Sequence, residues 1–347
     1  MTSNDRSNGL RSEEKVRIVL IFAFIGVAIA LGVSASAIIA RTSTILAGLA
    51  VVAFTFGLRH GVDADHIAAI DNVTRRLIHE GKKPVTIGTW FSLGHSTVVL
   101  LMIVALTVAT KKVVESLPVI QKVGAVLGTA VSGAFLWLIG LMNLIVAISL
   151  YRAFRDLKAK KASPVADNAE TGFMFRYFKS LFRTINKPWK MYIVGVLFGI
   201  GFDTASEVAL IAISVGVGVS GSLPIWMVLL LPFMFACGMV LVDTADGVAM
   251  RFAYGWALLS PLRKTYYNFT ITVISVLVAL LIGTVELVQV ATLELNLHGT
   301  PWSYLGTINF ETLGFFTVAV FAMAWFVSLA NWRLRMYDKQ LLGLTQG

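Results

Sequence analysis

Between residues 59 and 71 the chain reads RHGVDADHIAAID, and six of these thirteen side chains can ionise: Arg59, His60, Asp63, Asp65, His66 and Asp71. Further along, His95 stands in FSLGHSTVV, Asp203 and Glu207 in GIGFDTASE, and Asp243 and Asp246 in GMVLVDTADG. Imidazole with carboxylate suits borderline first-row ions such as Ni²⁺, Co²⁺ and Zn²⁺, whereas Ca²⁺ and Mg²⁺ favour oxygen alone. The single cysteine, Cys237, supplies no thiolate set for Cu⁺. On a continuous helix turning about 100° per residue, His60, Asp63 and His66 share an arc of about 120° and Asp65 points away. Asp203 with Glu207 (i,i+4) and Asp243 with Asp246 (i,i+3) each share a face. Singly, these residues have plainer readings: His95 as a helix–helix hydrogen bond, Arg59 with Asp63 or Asp243 as a structural ion pair. As a set they ask for an ion. The expected metal ligands are His60, Asp63, His66 and His95, with Arg59, Asp65, Asp71, Asp203, Glu207, Asp243 and Asp246 supporting them or lining a pathway.

The elements that carry them are apolar. Of 347 residues, 57% are hydrophobic and 14% charged, against about 45–50% and 25% in soluble domains. Mean hydropathy is +0.79. Eight windows are long enough to cross a bilayer, at roughly 18–40, 44–70, 84–110, 124–150, 191–216, 223–250, 268–291 and 312–332. Hydrocarbon forces the backbone to bond to itself, so such runs are helices; the ten-residue alternation of a membrane barrel is absent. The expected fold is an all-α polytopic membrane protein. Seven of the acids then lie at or near membrane depth. At about 2.5–3.5 kcal/mol per unpaired Asp they would cost roughly 18–25 kcal/mol, more than the 5–15 kcal/mol stability of a typical domain. They must be paired, hydrated or metal-bound.

Basic residues set the orientation. With both termini cytoplasmic, 24 Lys and Arg fall inside and four outside (Arg41, Lys111, Lys112 and Lys122), as the positive-inside rule requires of an even number of spans. The net charge of +10 is thus orientation, and no nucleic-acid motif accompanies it. The first span is too long, and its leader too acidic, for a cleaved signal. Expected boundaries are a cytoplasmic tail at 1–17, a first membrane half at 18–150, a cytoplasmic loop at 151–190, a second half at 191–335 and a tail at 336–347. Within the loop, 173–190 (FMFRYFKSLFRTINKPWK) interleaves aromatic and basic residues, as an interfacial helix on anionic lipid does. Gly57, Gly61, Gly94, Gly199, Gly201 and Gly238 are expected to permit close helix packing rather than local unwinding.

Four segments resemble the motifs of the nickel/cobalt transporter (NiCoT) family of secondary permeases: RHGVDADHI with its HX4DH pattern, LGHSTVV, GFDTASE and GMVLVDTAD, in order on spans two, three, five and six. The resemblance runs from about residue 18 to 335. It implies eight spans, a metal-selective site on span two at His60, Asp63, Asp65 and His66 with His95 contributing, and a prokaryotic inner membrane. Ni²⁺ or Co²⁺ is then cargo rather than cofactor, and neither an enzyme nor a resident cofactor is implied. The frames FGLRHGVDADHIAAI and FGIGFDTASEVALI also suggest that the halves are inverted four-helix repeats.

No GxxxxGK[ST] loop occurs, so no ATP is hydrolysed by this chain and no ATPase subunit is called for. An inside-negative potential gives a divalent cation about 4.6 kcal/mol per 100 mV, roughly a thousandfold accumulation. The expected activity is uptake of Ni²⁺, and of Co²⁺ beside it. The alternatives are efflux, disfavoured by a central loop without histidine, and an intramembrane aspartyl protease using Asp203 and Asp243, which leaves the span-two histidines idle.

Overall fold

Apolar runs become helices. The structure, a computed structural model, describes residues 12–108, 117–158, 185–201, 205–219, 224–256, 261–306, 308 and 310–334. In chain order the helices are α1 (Ser12–Ile39), α2 (Thr44–His60), α3 (Ala64–His79), α4 (Ile87–Val108) and α5 (Leu117–Lys158). After a short 3₁₀ turn at Pro188–Lys190 come α6 (Met191–Gly199), α7 (Ala205–Val219), α8 (Ile225–Val228), α9 (Leu230–Trp256), α10 (Pro261–Glu294), α11 (Thr300–Gly306) and α12 (Phe310–Leu334). Among the described residues there is no strand, so the all-α expectation holds there.

Five of these helices are long and apolar enough to cross a bilayer, six if α2 and α3 count as one bent span. The fifth expected span is divided into α6 and α7, neither long enough alone, and the eighth contributes a shorter apolar stretch at Thr312–Met323. Helix α1 starts at Ser12, inside the stretch expected as a tail. Most of the expected interfacial segment and the 336–347 tail lie outside the described residues.

The expected second span is not one helix. It breaks after His60, and α2 and α3 meet at 53°. Gly61 and Val62 form the turn, and Asp63 takes the N-cap position of α3 at φ −61°, ψ 143°. The first helix is well begun: the Ser43 side chain accepts from the Leu46 N–H at 3.2 Å. The second is well ended. Gly81, at φ +76°, lets the Lys82 N–H reach the Leu77 carbonyl and the Gly81 N–H reach that of Ile78, both at 2.9 Å.

Helix α3 (ADHIAAIDNVTRRLIH) is the polar one, yet it is buried on nearly every side, packed against α9, α10, α12 and α5. The apolar helices surround it and turn residues such as Leu20, Phe24 and Leu281 outward. This inversion of the usual soluble pattern is what a hydrocarbon solvent dictates.

Glycines set the central contacts, as the sequence suggested. A Cβ on Gly57 would overlap the Phe235 carbonyl oxygen, and one on Gly61 would press on Val242 and the Met239 carbonyl, so α2 and α9 run side by side in the same direction. Gly195 meets Phe91 and Gly199 meets His95 in the same way, so α6 runs along α4. Helix α4 opposes α9: Gly88 lies at Asp243, while Ser96 and Leu100 face Leu229–Cys237 across an apolar groove. Two apolar clusters result. One joins α2, α4, α7 and α9 around Ala50, Val99, Ile103, Leu210, Leu231 and Phe235. The other joins α3–α6 and α10 around Ala68, Val73, Phe91, Leu136, Val194 and Ile282.

Candidate metal centre

The break in the second span lies where the two clusters meet, and three histidines converge on it. His60 ends α2, His66 sits in the first turn of α3, and His95 reaches in from α4. They are 2%, 0% and 3% exposed, which removes them from bulk water. Their ring centroids form a near-equilateral triangle with sides of 4.7, 4.8 and 4.9 Å. Each offers a nitrogen within 4.8 Å of the others'. Phe235 lies against His60 and Phe91 meets His66 edge-on, giving the pocket apolar walls.

Carboxylates fix which nitrogens face inward. Asp63 occupies a helix N-cap but makes no cap hydrogen bond; its Oδ2 lies 2.8 Å from His60 Nδ1. This places the Asp63 carboxylate on the Nδ1 side of the ring, while Nε2 is the nitrogen that faces His95 and Glu207. Asp243 holds His66 Nδ1 from α9, with both oxygens at 3.3 Å. The Nε2 of His66 is left buried with no hydrogen-bond partner. A carboxylate orienting a histidine's far nitrogen is the usual support of a metal-binding imidazole.

The inward atoms triangulate a point. His60 Nε2 and His95 Nε2 are 3.1 Å apart, Glu207 Oε1 lies 2.5 Å from His95 Nε2, and the same oxygen is 3.6 Å from His60 Nε2. A position about 2.1 Å from all three atoms, the usual metal–nitrogen distance, exists about 1 Å out of their plane. Three donors meeting on one face of an ion is what these edges describe. His66 offers a nitrogen within 4.8 Å of those of His60 and His95.

The structure places the expected site residues as follows, with one correction to the helix that carries them. The helical wheel that grouped His60, Asp63 and His66 assumed an unbroken helix; the chain is broken at 61–63, and the histidines converge across the bend instead. Local unwinding is therefore present at Gly61. Asp63, expected as a ligand, lies with Oδ2 2.8 Å from His60 Nδ1, and Glu207, expected as support, lies with Oε1 2.5 Å from His95 Nε2. Asp65 is half-buried and accepts from the His66 N–H at 2.9 Å. Asp71 pairs with Arg75 at 2.9 Å. Arg59 is exposed at the end of α2. Asp246 follows Asp243 by one turn, with Oδ2 buried and unpartnered. Asp203 lies outside the described residues. Two buried acids were missed by the sequence reading: Glu14 on α1, paired with Arg251 at 2.8 Å, and Glu286 on α10, which is 1% exposed and accepts from the Ser132 hydroxyl at 3.1 Å. An acidic residue in an otherwise apolar window was the signal for Glu286.

The family described as "High-affinity nickel-transport protein" matches residues 46–331. The nickel transporter NixA of Staphylococcus aureus is 46% identical over 292 residues, covering 83% of this chain and 86% of that protein. The high-affinity nickel transport protein of Cupriavidus necator is 43% identical over 331 residues, covering 93% and 94%. The cobalt transport protein NhlF of Rhodococcus rhodochrous is 35% identical over 331 residues, covering 92% of each. No solved structure matches. The family and these relatives are transport proteins and not enzymes, and Asp243 is engaged by His66, so the protease alternative has no support.

Proposed function

The chain belongs to the high-affinity nickel-transport protein family, and on that footing we propose that it takes up Ni²⁺ across a cytoplasmic membrane. Co²⁺ is the second cargo, in keeping with the cobalt transport protein among its relatives. The observation that carries this reading is the convergence of His60, His66, His95 and Glu207 in a pocket sealed from solvent. These four side chains replace the ion's water shell, while Asp63 and Asp243 hold the imidazoles in register.

The route through the protein follows from an eight-span reading in which α2 with α3, and α6 with α7, are each one broken span, and both termini are cytoplasmic. The glycine contacts support an inverted repeat. Helix α2 lies on α9 through Gly57–Phe235 and Gly61–Met239, as α6 lies on α4 through Gly195–Phe91 and Gly199–His95. Gly94 meets Tyr192 as Gly238 meets Phe54, and the His60–Phe235 ring contact matches Phe198–Phe91. This register places Gly57 opposite Gly195, one helical turn from the alignment of the FG pairs. Because α2 follows α9, α4 follows α6, and α4 opposes α9, α2 and α6 run in opposite senses, as an alternating-access carrier requires. His60, His95 and Glu207 come from both halves, so a relative motion of the halves assembles or opens the pocket.

Transport of ⁶³Ni²⁺ into intact cells tests the reading. Cells expressing the protein accumulate label, and competition by Co²⁺ and Zn²⁺ ranks the cargo. Absence of nickel-dependent accumulation in cells carrying the protein in their membrane refutes it.

A further inference from the structure

Beyond the histidine cluster, helix α3 carries a charge that the transport reading has not used. Arg75 is 1% exposed, the largest fully buried side chain among the described residues. Its neighbour Arg76 behaves ordinarily, pairing with the half-exposed Glu80 at 3.1 Å near the helix end. Arg75 instead turns inward. One guanidinium nitrogen donates to Asp71 Oδ2 at 2.9 Å and to Asn72 Oδ1 at 3.2 Å. The same Asn72 oxygen accepts from the Asn143 amide of α5, which ties this group to the neighbouring span.

The acids on the facing helix give the position its meaning. Asp243 of α9 holds His66, and Asp246 lies one turn further along α9, next to Gly247, where a Cβ would lie 3.5 Å from Ile70, the residue before Asp71. The Oδ2 of Asp246 is buried and has no hydrogen-bond partner. A line of carboxylates thus leads from the metal pocket along the α3–α9 seam and ends on a buried guanidinium. Asp71 lies about 7–8 Å beyond His66 along the helix axis, and Arg75 about one turn further. By the positive-inside count, this is the cytoplasmic direction.

We propose that Arg75 is the inner gate of the carrier: a tethered cation that occupies Asp71 while the pocket is closed to the cytoplasm and gives Asp71 up to the ion when the inner route opens. A fixed positive charge at the end of an acidic route repels a divalent ion until Asp71 is exchanged, and returns to Asp71 once the ion has left. Arginine suits the task because it cannot lose its charge and holds two acceptors at once. The proposal rests on the histidine cluster being the ion's binding site, and on the Asp71–Arg75 and Asn72–Asn143 contacts closing its inner side.

The test uses the full chain, purified in detergent and reconstituted in vesicles, with ⁶³Ni²⁺ as the probe. Arg75→Gln is expected to bind Ni²⁺ at equilibrium within twofold of wild type, because the pocket is untouched. It is also expected to lose preloaded ⁶³Ni²⁺ from vesicles at least tenfold faster and to accumulate at least tenfold less. Arg75→Lys, which keeps the charge, restores at least half of the retention. Should Arg75→Gln fail to reach the membrane because Asp71 is left as a buried uncompensated charge, Asp71→Asn with Arg75→Gln removes both charges, keeps a hydrogen-bonding pair and is read on retention and accumulation. Retention and accumulation within twofold of wild type overturn the gate. So does a parallel loss of binding and transport with a lowered melting temperature, which marks a purely structural residue. Failure of wild type to bind Ni²⁺ refutes the site itself, and the gate with it.

Discussion

Gly57 is a full turn of helix from the metal pocket, yet adding one carbon there is expected to disable it. A Cβ on Gly57 would overlap the Phe235 carbonyl oxygen, and both atoms belong to backbone, so no rotamer change relieves the clash. Helix α2 must retreat by about 1.4–2 Å to bring that carbon into ordinary contact. His60, three residues along, retreats with it, from nitrogens now 3.1 Å from His95 and 3.6 Å from Glu207. Metal–donor distances tolerate about ±0.2 Å, and a 1 Å misplacement can cost about a hundredfold in rate. Overpacking costs about 1–3 kcal/mol, offset by about 0.5–1 kcal/mol of helix propensity, so Gly57→Ala still folds. The control is on the same helix: nothing lies within 4 Å of a Cβ built on Gly48. In ⁶³Ni²⁺ uptake by intact cells, Gly57→Ala is expected to fall about a hundredfold and Gly48→Ala to stay within twofold, with equal amounts of each protein in the membrane. Uptake by Gly57→Ala within twofold of wild type, or an equal fall in Gly48→Ala, refutes the idea that glycine-mediated contact positions His60.

His60→Ala and His66→Ala are expected to reduce ⁶³Ni²⁺ uptake below a hundredth of wild type while membrane abundance, read by immunoblot, is unchanged. Glu207→Gln keeps the shape but removes the charge; losing a charge-assisted contact worth about 1.5–3 kcal/mol is expected to raise the half-saturating Ni²⁺ concentration about 10–100-fold. An unaltered value would return Glu207 to a supporting role. If uptake is electrogenic, collapsing a 100 mV inside-negative potential with an ionophore lowers steady-state accumulation by up to a thousandfold; accumulation indifferent to the potential would point to another driving force.

Much of the architecture was legible because hydrocarbon leaves few options. Apolar windows became helices, and the glycines within them became the contacts that sequence patterning implied. The histidines could be singled out because imidazole is out of place in an oily run. Their geometry could not be read the same way. A wheel treats residues 60–71 as one rod, and nothing in the hydropathy reveals that Gly61 and Val62 turn the chain and make Asp63 an N-cap. Hence the position of Asp63, with Oδ2 2.8 Å from His60 Nδ1, was not foreseen. Glu207 lies 112 residues from His95, and which acid of another span reaches a given histidine is decided by helix packing rather than by local sequence. Arg75 was hidden for a related reason: in a run of cytoplasmic basic residues it looks like an orientation signal, and only the folded structure turns it to the buried Asp71 while Arg76 turns to Glu80 at the helix end.

Anomalous diffraction at the nickel edge, from crystals of the full chain grown with Ni²⁺, addresses the central claim without the intermediary of transport rates. The account predicts a single strong peak inside the membrane region, about 2.1 Å from the Nε2 atoms of His60 and His95 and from a carboxylate oxygen of Glu207, and within reach of His66. A map with no ordered peak among these four side chains, or with its strongest peak elsewhere in the chain, contradicts it.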